Sequence, residues 1–369
     1  MLKLQKPVAI TMWDFSWLER RWPGAGYEDW NVALDQLAER GYDAVRIDAY
    51  PHLVAWGAEK TWELIPTWHF LEWGANMKVD VRVMPGLLEF LRACRERGIK
   101  VGLSTWFRQD AGNVRMRICD ASVHAEIWLA TLARIRAAGL LDAVLYVDFC
   151  NEWPGDRWSA FFKNEPEGNS WNGNTAKSLA WMKAVVERVK PEYPGLPVTF
   201  SFWPDVTTAT PLDFSFLDFF EPHIWIAQQK KDFYRFVGYG YEAFDIKGME
   251  AVAANAAAVY RAAKPVWDGA LKEAIDRHAA YSRKTGKGLI TTECWGPVDY
   301  KDGPRLEWEW VKESCEVGVL HAAASGRWLG IATSNFCGPQ FVGMWRDVGW
   351  HQRMTQVIKS AKLDADLVG

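Results

Sequence analysis

Two glutamates stand where apolar stretches end and residues that break regular structure begin. Glu152 lies near the end of LDAVLYVDFCNEWPG, which starts at Leu141, and Glu293 lies near the end of KGLITTECWGP, which starts at Lys287. A charged side chain at the mouth of a buried strand carries a desolvation penalty, which indicates that it has a use. Hydrolysis of a glycosidic bond needs such a pair, because one carboxylic acid protonates the leaving oxygen while one carboxylate attacks the sugar or activates water.

The elements that position these glutamates are predicted from an alternation of strand and helix patterns. Strands are predicted at residues 8–12, 43–49, 99–105, 197–202, 217–224 and 328–333 and within the two glutamate-bearing stretches. Helices are predicted at about residues 27–40, 85–98, 122–139, 175–189, 248–263, 269–285, 305–324 and 346–361. Eight such alternations without a dividing linker predict one (β/α)8 barrel, a TIM barrel, over residues 1–369. A doubly wound open sheet is the alternative, which is disfavoured because no glycine-rich turn follows the first strand.

In a (β/α)8 barrel the C-terminal ends of the strands meet at one pocket, so Glu152 and Glu293 can face each other. Long aromatic-rich βα loops are predicted at residues 50–80, 156–175 and 226–247. Ser122 is predicted to cap the helix that follows the third strand.

Composition excludes several functional classes. The chain is 49% hydrophobic and 24% charged, which is too apolar for disorder, and its net charge of −3 gives no indication of a nucleic-acid or acidic-membrane partner. The N-terminus lacks the apolar run of a signal peptide, and no segment has the length of a membrane span, so a soluble, cytoplasmic protein is expected. Six scattered cysteines without a CxxC pair are expected to be buried free thiols.

Further candidate site residues occupy strands or follow them. Arg46 and Asp48 alternate with apolar residues on the second strand and are predicted to point into the barrel, where Asp48 is either a partner of Arg46 or a substrate contact. Asn151 precedes Glu152, and His223 lies on the sixth strand. The chain contains 23 Trp, whose flat faces suit sugar rings, although core packing is the plainer explanation for most of them. The tryptophans predicted to contact substrate are Trp13, Trp106, Trp203, Trp225 and Trp295.

This set of residues resembles clan A glycoside hydrolases, in particular the cellulase-like relatives of glycoside hydrolase family 5. That clan has an Asn-Glu pair at the end of strand four and a nucleophilic Glu at the end of strand seven, which Asn151-Glu152 and Glu293 match. The resemblance implies that Glu152 is the acid/base, Glu293 the nucleophile and Asn151 a ligand of the sugar 2-hydroxyl. It also implies that Arg46 keeps the nucleophile ionised and that His223 is an active-site histidine.

The chain departs from the family pattern at three strand ends. His223-Ile224-Trp225 stands where many family 5 enzymes have His-x-Tyr, Asn335-Phe336 stands where a sugar-stacking Trp is common, and Trp106 stands where a His is expected. These departures put the transfer of substrate specificity in doubt and leave the carboxylate pair intact.

Three functions compete at this stage. The favoured one is a retaining β-glycosidase without cofactor or metal, acting on a small glycoside or oligosaccharide by double displacement, with carboxyl groups about 5–5.5 Å apart and pKa values pushed apart. The second is a metal-dependent sugar isomerase or hydrolase, in which Asp48, Glu152, His223 and Glu293 bind the metal. The third is a sugar-binding barrel without turnover. The sequence assigns neither the sugar, nor exo or endo action, nor the oligomeric state.

Overall fold

The computed structural model describes residues 2–164, 171–203, 207, 213–226, 232–239, 245–297 and 307–369. The strands are β1 (Val8–Asp14), β2 (Ala44–Asp48), β3 (Trp62–Leu64), β4 (Val79–Val81), β5 (Lys100–Ser104), β6 (Val144–Asp148), β7 (Val198–Thr199), β8 (Ser201–Phe202), β9 (Glu221–Pro222), β10 (Ile224–Trp225), β11 (Leu289–Thr291), β12 (Cys294–Trp295) and β13 (Trp328–Ala332). The helices are α1 (Ser16–Glu19), α2 (Trp30–Glu39), α3 (Pro51–Gly57), α4 (Val83–Glu96), α5 (Ala121–Ala137), α6 (Ala176–Val189), α7 (Asp232–Val237), α8 (Ile246–Ala262), α9 (Lys264–Thr285), α10 (Glu309–Ala324), α11 (Val342–Trp345) and α12 (Val348–Ser360).

The parallel strands form the predicted TIM barrel. Seven of them pair in the order β11-β13-β1-β2-β5-β6-β7. β8 continues β7 after one residue and pairs with β9, and β10 pairs with β12, both in parallel. A parallel bridge between Phe220 and Leu289 joins the β9 and β11 segments, where the Phe220 N–H donates to the Gly288 carbonyl at 3.1 Å. The interrupted strands thus complete the ring.

Burial follows from this architecture. Every residue of β2 and of β13 is buried, as expected for strands whose outer face is covered by helices and whose inner face points into the barrel. Among the described residues, Trp accounts for nine of the 12 largest fully buried side chains, so core packing explains a large share of the tryptophans.

Several sequence-based expectations need correction. The segment 50–80 is not a plain loop, because it contains α3 and an antiparallel pair, β3 with β4. Asp120, not Ser122, caps α5: its Oδ1 accepts the Val123 N–H at 2.9 Å, and the helix has already begun by Ser122. Cys119 is exposed, whereas the other five cysteines are buried free thiols as expected.

Two of the long loops are described only in part. The segment 226–247 contains α7, and its residues 227–231 and 240–244 lie outside the described residues, as do residues 165–170 of the loop after β6. Among the described helices, none combines the length and the apolar character that crossing a membrane requires.

Candidate active site

Glu152, His223 and Glu293 come together at the C-terminal ends of their strands. Glu152 follows β6, His223 lies between β9 and β10, and Glu293 lies between β11 and β12. His223 Nδ1 is 2.9 Å from Glu152 Oε1 and 3.5 Å from Glu293 Oε2. One oxygen of each glutamate and a ring nitrogen of His223 all lie within 4.8 Å of one another, and all three residues are buried. The two carboxylates therefore face each other directly.

Local backbone conformation aims Glu152 into this group. Its φ of 47° is in the left-handed region, which is uncommon for a residue with a side chain and is typical of functional positions. The Glu152 N–H donates to Ser201 Oγ at 2.9 Å, and Trp158 Nε1–H donates to Glu152 Oε2 at 3.3 Å. One carboxylate oxygen thus faces His223 while the other faces Trp158.

Arg46 is the buried cation of the site. Its guanidinium pairs with Asp148 at 2.5 Å, Glu293 at 3.2 Å and Glu221 at 3.4 Å, and donates to Asn151 Oδ1 at 2.7 Å. The prediction that Arg46 points into the barrel is confirmed, and it lies within salt-bridge reach of Glu293. Its other hydrogen-bond partners are the hydroxyls of Ser104, Ser201 and Thr292.

Burial dominates the electrostatics of the carboxylates. It is the largest cause that raises the pKa of Glu152 and of Glu293, each to about 7, and it also raises the pKa of Glu221 to about 7. The expectation that Arg46 holds the pKa of Glu293 low is therefore wrong, because the guanidinium opposes burial without outweighing it. Burial also lowers the pKa of His223 to about 4, so this imidazole is neutral near pH 7. The expected separation of the Glu152 and Glu293 pKa values is therefore wrong, and near pH 7 the two carboxyls share about one proton.

Arg46→Ala is expected to lower the free energy of unfolding by about 3–5 kcal/mol near pH 8, because it leaves buried carboxylates without their cation. Glu221 and Glu293 have raised folded pKa values, so folding binds protons and stability falls as pH rises from about 4.5 to about 7. The variant should therefore lose clearly less stability at pH 5, where these carboxyls are protonated. Urea unfolding at pH 5 and pH 8 measures the difference.

Arg327 provides the matched control for that experiment. It is also a buried arginine, but it pairs with Asp364 at 3.3 Å and with Asp366 at 2.6 Å, and pairing with Arg327 lowers the pKa of Asp366. Arg327→Ala should lose the same stability at pH 5 and pH 8. An equal loss at both values for Arg46→Ala would contradict the protonation argument.

Asp48 lies at the end of β2 and holds the neighbouring turns. Its Oδ1 accepts the Tyr50 N–H at 2.7 Å, and its Oδ2 accepts the Trp106 N–H at 3.0 Å. Backbone amides thus engage both oxygens of Asp48. Of its two predicted roles, partner of Arg46 or substrate contact, the first is not observed, because the described carboxylate partners of Arg46 are Asp148, Glu221 and Glu293.

Of the five tryptophans predicted to contact substrate, four are buried and one is partly exposed. Trp13 donates Nε1–H to the Cys337 carbonyl at 3.1 Å and Trp295 to the Ala332 carbonyl at 2.8 Å, and neither has exposed surface, so both pack in the core and offer no face to a sugar. Trp106 lies under the Arg46 guanidinium at 4.7 Å, and Trp225 is also buried. Trp203 is partly exposed, with its ring 5.5 Å from that of Trp171.

Several site residues were not predicted. Asp148 and Glu221 surround Arg46, and the alternation of polar and apolar residues on their strands was the signal that could have identified them.

Within the described part of the chain, several buried polar atoms at the strand ends lack a hydrogen-bond partner. These atoms are Asp14 Oδ2, Asn151 Nδ2, His223 Nε2 and both side-chain polar atoms of Asn335.

A metal centre fits this arrangement less well than a sugar site. Glu152, His223 and Glu293 are close enough to share one ion, but Asp48 is not part of that group. A metal cation bound by Glu293 would also lie next to the Arg46 guanidinium, which contacts this carboxylate at 3.2 Å. Two positive charges at such short range in a buried site repel each other strongly.

Comparison with known proteins identifies the family. The model of the cellulase-like family, described as sugar-binding and cellulase-like, matches residues 10–359 of this chain. The chain is 51% identical to a protein of Parabacteroides distasonis ATCC 8503 assigned as a glycoside hydrolase, with a TM-score of 0.95 over 98% of this chain and 96% of that one. No curated protein matches the chain.

Two more distant solved structures share the fold alone. A cellulase in complex with an inhibitor is 11% identical with a TM-score of 0.53, over 95% of this chain and 92% of that one. The endo-1,4-β-D-mannanase of Thermotoga petrophila RKU-1 is 10% identical with a TM-score of 0.50, over 89% and 87%. From the family match and the 51% identical relative, this chain belongs to the sugar-binding cellulase-like family.

Proposed function

We propose that this protein, a glycoside hydrolase of the cellulase-like family, cleaves its substrate with retention of anomeric configuration through a covalent intermediate on Glu293. The observation that supports this best is the approach of the two carboxylates to within 4.8 Å. Retaining enzymes hold their carboxyl groups about 5–5.5 Å apart, whereas inverting enzymes need about 6.5–9.5 Å to admit a water between them.

The two glutamates receive different roles from their neighbours. Arg46 contacts Glu293 and favours its ionised form, whereas the described contacts of Glu152 are the neutral Trp158 N–H and the neutral His223. The proton that the pair shares therefore resides on Glu152. Glu293 is then the nucleophile and Glu152 the general acid, as the sequence resemblance also implies.

The reaction proceeds in two displacements. A carboxylate oxygen of Glu293 attacks the anomeric carbon while Glu152 gives its proton to the leaving oxygen, so the glycosidic bond breaks and an ester to Glu293 forms. Water then attacks the same carbon, gives a proton to Glu152 and releases Glu293, which restores both groups. Two inversions at one carbon give net retention.

Polar atoms without partners at the strand ends support a polyhydroxylated ligand. Buried polar groups are normally hydrogen-bonded. The side-chain amide of Asn335, Asn151 Nδ2 and His223 Nε2 have no hydrogen-bond partner among the described residues. Sugar hydroxyls both donate and accept, so they match this mixture of groups. We assign Asn151 to the 2-hydroxyl, in keeping with its position between Arg46 and Glu152.

A small glycoside or oligosaccharide is the proposed substrate, because the β3–β4 insertion closes one side of the site. Arg108, which follows β5, donates to the Ile65 carbonyl at 3.1 Å and to the Thr67 hydroxyl, and a backbone bridge joins Leu64 to Asp110. This insertion is thereby fixed beside the strand ends. A cytoplasmic location remains part of the same proposal.

A panel of aryl β-glycosides with different sugars tests the function. At least one member should be hydrolysed, and proton NMR of the first product formed should show the β-anomer. An initial α-anomer would contradict the mechanism. Sugar binding without hydrolysis of any member would favour the non-catalytic barrel, and loss of activity with a chelator would favour the metal-dependent alternative.

A further inference from the structure

A polar cavity of about 380 Å³ lies beside Glu152, outside the group formed by Glu152, His223 and Glu293. The β3–β4 insertion, the chain after β5 and the loop after β6 form its walls. Its lining residues are Ile65, Pro66, Thr67, Arg108, Gln109, Arg115, Asp156, Arg157 and Trp158. The volume is within the usual range for small-molecule sites.

Trp158 connects this cavity to the chemistry. Its Nε1–H contacts Glu152 Oε2, whereas Glu152 Oε1 faces His223 and, beyond it, Glu293. The cavity is therefore on the side of Glu152 that points away from the nucleophile. Because the nucleophile lies under the sugar that is transferred and the acid lies beside the leaving oxygen, this is the leaving-group side of the site.

The charge of the lining favours an anion. It contains three guanidinium groups, those of Arg108, Arg115 and Arg157, and one carboxylate, that of the exposed Asp156. The charge of Arg108 is matched by Glu19, which it contacts at 2.7 Å. Arg115, in contrast, has no carboxylate among its hydrogen-bond acceptors within the described residues.

Arg115 is the lining cation best placed to bind an anion. Within the described residues, its acceptors are all neutral oxygens: the side chains of Asn113 and Gln109 and the carbonyls of Phe107 and Arg157, at 3.1–3.2 Å. These contacts use four of its five N–H groups and fix its orientation. Burial and the positive charge of Arg108 lower the pKa of Arg115 to about 10, and the Asp110 carboxylate opposes them only in part, so a bound anion would relieve a repulsion already present.

We propose that this cavity binds an anionic group on the leaving-group part of the substrate, a carboxylate, sulfate or phosphate, with Arg115 as the residue that determines specificity. The one N–H of Arg115 that these contacts leave over, together with its positive charge, is suited to oxygen anions of all three kinds. The assignment to the leaving group rests on the proposed function, whereas the anion site itself does not.

Direct binding tests the anion site without any turnover. Wild-type protein, Arg115→Gln and Arg117→Gln are titrated with glucuronate, glucose 6-sulfate, glucose 6-phosphate and neutral glucose, with calorimetry as the readout. Arg117 is an exposed arginine on the same short 3-10 helix, Val114–Arg117, and serves as the matched control. At least one anionic sugar should bind wild type and Arg117→Gln roughly tenfold or more tightly than glucose, and Arg115→Gln should lose that preference. The sugar that binds best identifies the anion.

Paired substrates test the placement on the leaving group. Two aryl glycosides with the same sugar differ only in a carboxylate or a carboxamide on the phenol. The kcat/KM ratio should favour the carboxylate roughly tenfold or more in wild type and fall close to one in Arg115→Gln. If Arg115→Gln does not fold, Arg115→Lys and the decline of the wild-type ratio with added salt provide the same comparison.

The outcomes separate this inference from the proposed function. Anion preference in binding, without hydrolysis of any glycoside, supports the cavity as an anion site and overturns the proposed function. Hydrolysis with retention, but with equal affinity for glucose and the three anions, overturns the inference and leaves the glycosidase intact. Unchanged anion binding in a folded Arg115→Gln also overturns it.

Discussion

Glu293→Ala is expected to reduce kcat/KM by roughly four orders of magnitude or more for every substrate, because without this carboxylate the covalent intermediate cannot form. An activated aryl glycoside, whose leaving group needs no proton, should show the same loss as an unactivated one. Initial rates on both substrates measure this, with thermal unfolding to verify that the variant is folded.

Glu293→Gln is the control for lost volume. It keeps the size and the hydrogen-bonding capacity of the side chain while removing the charge beside Arg46. It should be as inactive as the alanine variant. Retention of more than a few per cent of activity in either folded variant would show that another group is the nucleophile.

Glu152→Ala should separate substrates by leaving group. Hydrolysis of unactivated glycosides should fall roughly 10²–10⁴-fold, because general acid catalysis is lost, whereas formation of the intermediate from an activated glycoside should be spared. Added azide should then restore turnover by attacking the intermediate from the side that Glu152 has vacated, and the glycosyl azide should keep the substrate's configuration.

Azide also distinguishes the nucleophile from the acid/base. Any azide product formed by Glu293→Ala should have inverted configuration, since azide then replaces the nucleophile in a single displacement. Product stereochemistry is read by NMR. Inversion by Glu152→Ala together with retention by Glu293→Ala would mean that the roles of Glu152 and Glu293 are exchanged.

The sequence was sufficient for the barrel and for the central group of the site. Glu152, His223 and Glu293 were accessible because each is a polar residue next to an apolar strand, and strand ends in a barrel converge whatever their separation in sequence. The inward direction of Arg46 followed from its alternation with apolar neighbours, and the structure places it 3.2 Å from Glu293.

Other features depended on which partners the fold brings together. Nothing in the sequence shows that backbone amides occupy both oxygens of Asp48 or that Trp13 and Trp295 face the core. An indole at a strand end gives the same sequence pattern whether it packs in the core or binds a ligand. Asp120 and Ser122 are comparable caps, so the start of α5 was ambiguous. The cavity beside Arg115 depends on the β3–β4 insertion, which forms one of its walls and whose folding the composition of residues 50–80 does not reveal.

The grouping of carboxylates around Arg46 limits how this enzyme can be adapted to heat. One guanidinium pairs with Asp148, Glu221 and Glu293 in the centre of the barrel, so part of the folding free energy is given up to keep a charged, reactive interior. Substitutions that relieved this excess of negative charge would strengthen the fold and weaken the chemistry together. A heat-resistant form is therefore expected to gain its stability far from the mouth of the barrel, for example where Arg327 ties the C-terminal residues to the strands.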